Sequence, residues 1–180
     1  MRSHRPVIVG IDGRSGSGKS TLAERLGEQW AAPVVQLDRL CPGWHGLDRA
    51  VDLVSDWVLA PLRHGSAAVP VRWREWDWAK DRYGGWIEVP DSRLIIVEGC
   101  GIGSARSRRY LDALLWVEAP EPVRRSRALE RELELAAAPD AESAVDPLWW
   151  WSLWASQETV VIERENTVRY ATSVRREPPG

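Results

Sequence analysis

Residues 13–20, Gly13-Arg14-Ser15-Gly16-Ser17-Gly18-Lys19-Ser20, satisfy the pattern GxxxxGK[ST] in full, and Thr21 follows directly. Each part of that pattern has a job in holding a phosphate chain. Glycines let successive backbone N–H groups turn inward without a Cβ in the way, and the helix that starts there adds the positive end of its dipole. The Lys19 ammonium is a point charge for the outer phosphates, and the Ser20 hydroxyl can sit on a Mg²⁺ ion. Gly13, Ser15, Gly16, Ser17, Gly18, Lys19, Ser20 and Thr21 are therefore the candidate nucleotide-binding residues. A glycine-rich turn without a ligand is the plain alternative. The apolar run "VIVGID" before the motif and the helical pattern after it provide the context that a phosphate loop needs.

Two acids end other apolar runs. Asp38 closes "VVQLD" and can accept or orient the proton of an attacking hydroxyl. Glu98 closes "LIIVE", where phosphate-loop ATPases place an acid beside the metal. Each could instead be an ordinary turn or strand-end acid. Residues 72–86 interleave Trp, Arg and Tyr. Trp76 can stack on an aromatic acceptor while Asp77 bonds its hydroxyls; plain packing over the sheet edge or stacking of single-stranded nucleic acid are the other readings. Arg124, Arg127 and Arg131 share one face of a charged helix, which is either a solvated ion-pair surface or part of a site. Trp150, Trp151 and Trp154 read as core, with Glu158 one turn beyond Trp154. His4, His45 and His64 are scattered and form neither a triad nor a metal set.

The elements that must position these groups follow from periodicity. Strands are expected at 7–12, 34–38, 93–99 and 113–120, and the last stretch, 167–174, reads as an edge strand. Helices are expected from Lys19 to about Trp30, with Leu22, Leu26 and Trp30 along one face, and from Asp48 as N-cap to Gly65. Further helices are expected at 105–111, 121–135 and 147–166, with extended or irregular chain over 66–90. Strands alternating with helices imply right-handed crossovers and a parallel sheet. The chain, 1–180, reads as a single α/β domain, with a mobile, lid-like connection at about 124–146.

Composition narrows the function classes. A net charge of −2 and a pI near 6.0 give no electrostatic footprint for nucleic acid or an anionic membrane. The two cysteines form no CxxC and suit a reducing compartment, and no run approaches a membrane span or a signal-peptide core. The expected location is the cytoplasm. The oligomeric state is left open. No [NT]KxD motif selects guanine and no LSGGQ signature occurs, which argues against a GTPase or a transporter subunit.

The motif set resembles the uridine kinase-like branch of the P-loop kinases. The pieces that carry this are "GIDGRSGSGKSTLA", "QLD", "WDW", "LIIVEG" and "RRSRALER" after "WVEAP", spread over residues 7–132. The chain is also similar to small actinobacterial-type proteins described as nucleoside or nucleotide kinases, which carry a late W-x-x-W-x-x-x-E, here Trp151, Trp154 and Glu158. The resemblance implies a P-loop NTPase three-layer fold with about five parallel strands and helices on both faces. It implies ATP with Mg²⁺ as phosphoryl donor, Asp38 as general base and Glu98 as support for the metal. Arg127 and Arg131 match the family's lid arginines. The middle segment, "RWREWDWAKDRYGGW", lacks the family's base-recognising His, which leaves the acceptor open. Two classes of function survive: a kinase of a small hydroxylated metabolite, nucleoside-like or otherwise, and a nucleotide-binding module or slow ATPase that regulates a partner.

Overall fold

In the computed structural model, which describes residues 5–66, 68–136 and 147–176, five strands form one parallel sheet in the order β2-β5-β1-β6-β7. These are β1 (Val7–Asp12), β2 (Val34–Gln36), β5 (Leu94–Glu98), β6 (Ala113–Glu118) and β7 (Ser173–Arg176). Alternation along the strands separates two cores. Ile8, Val35, Ile95, Val97 and Leu114 point to one face, and Val9, Ile11, Ile96 and Val117 to the other. Each fully buried aliphatic side chain of this kind contributes about 1.5–3 kcal/mol relative to exposure. The second face is covered by α1 (Lys19–Trp30) through Leu22 and Ala23. The first is covered by α2 (Leu47–Val54), a π-helical turn (Ser55–Leu59) and α3 (Ala60–His64). The result is the three-layer arrangement anticipated from the motif order.

Outside the sheet, β3 (Arg72–Asp77) and β4 (Arg82–Glu88) form an antiparallel hairpin with a register shift between Arg74 and Trp76. Helix α4 (Ala105–Arg108) is a single turn; α5 (Glu121–Ala136) and α6 (Pro147–Glu165) pack together around Ala128, Trp150 and Trp151. A turn of helix, α7 (Thr167–Tyr170), precedes β7. No helix among the described residues is long and apolar enough to cross a membrane.

Several local expectations are corrected. The second strand stops at Gln36, and Leu37–Leu40 is a 3₁₀ turn, so Asp38 stands in that turn just past the strand end. Helix α2 begins at Leu47 behind Gly46 with no side-chain cap; Asp48 lies inside the first turn and pairs with Arg164 of α6. A carboxylate in the first turn complements the helix dipole. Trp30, at the exposed end of α1, is 45 % accessible and is not part of that helix's buried face. The stretch 167–174 is half helix, because the four residues of α7 fold back before β7 pairs with β6. In the stretch read as a lid-like connection, 124–136 are helical and belong to α5, while 137–146 lie outside the described residues.

Candidate active site

Strand registers align the ends that matter. Ile11 pairs with Glu98 and Gln36 pairs with Glu98, so β1, β5 and β2 deliver Asp12, Glu98 and the 3₁₀ turn to one edge of the sheet. That is the carboxyl edge, where open α/β sheets bind ligands. From Asp12 the chain enters the phosphate loop. Gly16 has φ +75°, and a Cβ there would collide with the backbone carbonyl of Arg124; Gly13 would meet the carbonyl of Val117 in the same way. Gly18, at φ 87°, is the left-handed N-cap of α1, and Lys19 and Ser20 are its first two residues. The loop glycines are thus required by geometry.

Asp12, fully buried, was not singled out by sequence reasoning, although it stands directly before the motif. Its carboxylate accepts N–H bonds from Gly13 at 2.7 Å and from Gly101 and Gly103 at 2.9 Å, which ties the start of the loop to the chain after β5. Burial pushes its pKa up to about 6, against the lowering effect of these N–H groups and Lys19. That value lies above 3.8, so the folded state holds the proton more tightly than the unfolded chain. The stability contributed by that proton is present below pH 3.8 and is lost as pH rises through about 6. Asp12→Asn keeps one acceptor oxygen but sets an amide N–H₂ against the Gly103 N–H. We expect a loss of about 1–3 kcal/mol in urea unfolding at pH 7, with the pH dependence across this window flattened.

Around Lys19 the field is acidic. Burial alone would depress the ammonium, but Glu98, Glu158 and Asp38 hold its pKa above the ordinary lysine value. Glu98 is buried, and neither carboxylate oxygen accepts a well-formed hydrogen bond, although the Ser20 and Gln36 side chains lie close. Desolvation raises its pKa, opposed by Lys19 and, more weakly, by the nearby Ser20 and Gln36 side chains. The two thiols are held protonated by burial, Cys41 with a pKa of about 12 and Cys100 well above its usual value. Neither is equipped as a nucleophile.

Of the cavities that border the loop, two are lined by residues of its second half. One, of about 530 Å³, is lined by Ser17, Gly18, Thr21, Arg25, Arg127 and Arg176. The other, of about 620 Å³, brings Ser15, Lys19, Ser20 and Asp38 together under Trp44, Trp78, Trp150 and Trp154. Trp44 packs against Trp78 at 4.8 Å and against Trp150 at 5.7 Å between ring centroids, a continuous aromatic wall. Arg131 lines this second cavity and stacks over Trp150. Arg127 and Arg131 therefore line different cavities beside the loop. Arg124, on the same helix face, is buried and donates to the carbonyls of Ala119 and Ser15.

Trp76 and Asp77 stand elsewhere. Trp76 packs edge-on against Tyr83, Asp77 is held by Lys80 at 2.8 Å, and both line a separate groove of about 360 Å³ on the hairpin. The hairpin side chains that reach the aromatic cleft are Glu75 and Trp78. Glu75 is fixed there by a two-pronged bond from Arg39, at 2.7 and 2.8 Å, one residue from Asp38.

No protein-family model matches the chain. Among solved structures it is similar to one described as a "Possible Uridine Kinase" from Bacillus stearothermophilus, with TM-score 0.65, 18 % identity, and coverage of 97 % of this chain and 91 % of that one. It is also similar to shikimate kinase from Acinetobacter baumannii in complex with shikimate, with TM-score 0.52, 12 % identity, and coverage of 97 % and 86 %. The chain shares the fold of these solved structures, a parallel five-stranded sheet with helices on both faces. This assignment concerns the fold; chemistry has to be argued from the residues.

Proposed function

We propose that this P-loop chain transfers the γ-phosphoryl group of ATP to a hydroxyl of a small molecule seated in the aromatic cleft. The observation that carries this reading is that Lys19, Ser20 and Asp38 face one tryptophan-walled cleft. A nucleotide-binding module has no need of a second chamber beside its outer-phosphate lysine. The other, arginine-lined cavity beside the loop suits the rest of the nucleotide.

Mg²⁺ fits the site on the evidence of Glu98, a buried carboxylate beside the Ser20 side chain whose oxygens are not closed off by well-formed hydrogen bonds. Ser20 and Glu98 would hold the ion, and it would neutralise and orient the outer phosphates when bound. Among the described residues no three His, Cys, Asp or Glu side chains are arranged to hold a metal ion; Mg²⁺ characteristically takes several ligands from phosphate and water. In this reading Lys19 binds the outer phosphates, Asp38 orients the acceptor hydroxyl, and Arg131 adds positive charge on the acceptor side. An acceptor seated against the tryptophan wall would displace water from Asp38, so that the phosphoryl group meets a hydroxyl rather than solvent.

The test is release of ADP across a panel of hydroxylated metabolites. A rise that depends on one acceptor, with matching phosphorylated product, is expected. Slow release that no acceptor changes would instead favour a regulatory module or slow ATPase. With the acceptor in hand, Trp78→Ala should raise its KM by about tenfold and leave the Kd for ATP·Mg²⁺ within about twofold, since an aromatic stacking contact is worth on the order of 1 kcal/mol. Trp76→Ala should leave both unchanged. An increase in KM for Trp76→Ala alone would return the acceptor to the outer groove.

A further inference from the structure

The phosphate loop has a partner that the kinase reading does not use. Glu158, on α6, is fully buried. Its Oε1 accepts the backbone N–H of Ser15 at 2.7 Å and the indole N–H of Trp154 at 3.1 Å, while Oε2 is buried without a hydrogen-bond partner. The next residue, Thr159, accepts a bond from the Arg14 guanidinium at 2.9 Å. Helix α6 therefore grips the first half of the loop at two successive positions. The same helix supplies Trp150 and Trp154 to the aromatic cleft, and Gln157 donates to the Trp44 carbonyl at 2.6 Å.

We propose that Glu158 is a positioning residue: its reach, and not its charge, fixes the phosphate loop for the triphosphate and registers the loop against the acceptor wall. The inference rests on the kinase reading of the same site. The charge is, if anything, a cost. Glu158 is one of the acids around Lys19, so its negative field extends to where the outer phosphates must lie. An anion kept so close to an anion-binding loop needs another reason to be there, and the Ser15 bond supplies one. A buried backbone N–H that loses its acceptor pays its full desolvation cost, and losing the Ser15 bond frees a loop whose shape is the binding site.

Reach and charge can be separated by two conservative variants. Glu158→Gln keeps the reach. Two donors converge on one oxygen, so the amide carbonyl must face Ser15 and Trp154, and its N–H₂ falls where Oε2 has no donor to oppose it. Glu158→Asp keeps the charge but draws the carboxylate back by one methylene. Calorimetric titration of each folded protein with ATP·Mg²⁺ is the readout, with a melting curve beside it. We expect Glu158→Asp to weaken the Kd by about tenfold, and Glu158→Gln to bind within about threefold of the wild type or more tightly. Equal binding by all three proteins, or weakening of the Gln variant, overturns the proposal, whatever the melting temperatures. A wild-type protein that binds no ATP·Mg²⁺ overturns the kinase reading and this inference with it. Tight wild-type binding with an unaffected Asp variant overturns only this one.

Discussion

Lys19→Ala is expected to abolish phosphoryl transfer and to separate nucleotides by the length of their phosphate chain. Lys19 is the cation that the loop places between the acids Glu98, Glu158 and Asp38. With triphosphate bound, its ammonium serves the outer phosphates, so AMP should lose little affinity. The Kd for ATP·Mg²⁺ should rise by at least about tenfold, and turnover should fall by about 10²-fold or more, the usual effect of deleting one preorganised charge or donor at a reacting centre. Removing a buried cation often unfolds a protein, but here a route of relief exists. Glu98 already has a raised pKa, held down chiefly by Lys19, and without the lysine it can take up a proton and become neutral. The variant should therefore stay folded, and a melting curve near the wild type is part of the prediction. Lys19→Arg should not rescue turnover, since a planar fork does not replace a compact point charge in a cradle of this size. Unchanged ATP affinity and rate in Lys19→Ala would remove the phosphate-loop assignment altogether.

What could be foreseen from the residues depended on how local the determining physics was. The loop motif carries its own geometry, because Gly16 and Gly18 need positive φ and Gly13 and Gly16 have no room for a Cβ. The parallel sheet followed from apolar runs at regular separation. Asp38 reached the expected edge although its strand ended two residues early, since a 3₁₀ turn keeps it beside the same strand end. The hairpin was less legible. The segment Trp76-Asp77-Trp78 offered Trp76 and Asp77 by its residue types, but a bulge between Arg74 and Trp76 shifts the alternation of side chains, and the cleft is lined by Glu75 and Trp78 instead. Arg127 and Arg131 do share a helix face, but four residues span about 6 Å along an axis, enough to carry them into different cavities beside the loop. Glu158 was visible as the end of a tryptophan motif. Its bond to Ser15 joins residues 143 positions apart, and no local pattern encodes such a contact.

Asp38→Asn is expected to lower kcat by about 10²-fold while ATP·Mg²⁺ still binds within about twofold of the wild type. The choice of Asp38 among the acids is a matter of access. Glu98 is buried beside Ser20 and is positioned for a metal and its waters. Glu75 is engaged with both prongs of Arg39, and Glu158 lies behind the Ser15 backbone. Asp38 is exposed and lines the cleft together with Lys19 and Ser20. The neighbouring pair Arg39–Glu75 ties its turn to the hairpin, which limits how far the carboxylate can stray. Asparagine preserves the shape and can still accept a hydrogen bond, but it cannot take the hydroxyl's proton as the bond to phosphorus forms. The loss should therefore appear in kcat, with the acceptor's KM nearly unchanged. Single-turnover measurement, with ATP and acceptor preloaded, separates a slower chemical step from slower product release. If Asp38→Asn transfers at the wild-type rate, the hydroxyl needs no carboxylate here and positioning by the loop and its cations suffices, as a loose phosphoryl-transfer transition state permits. If transfer falls but hydrolysis of ATP to water rises, Asp38 holds the acceptor against solvent rather than accepting its proton. A fall in transfer with hydrolysis unchanged is the outcome that makes Asp38 the base.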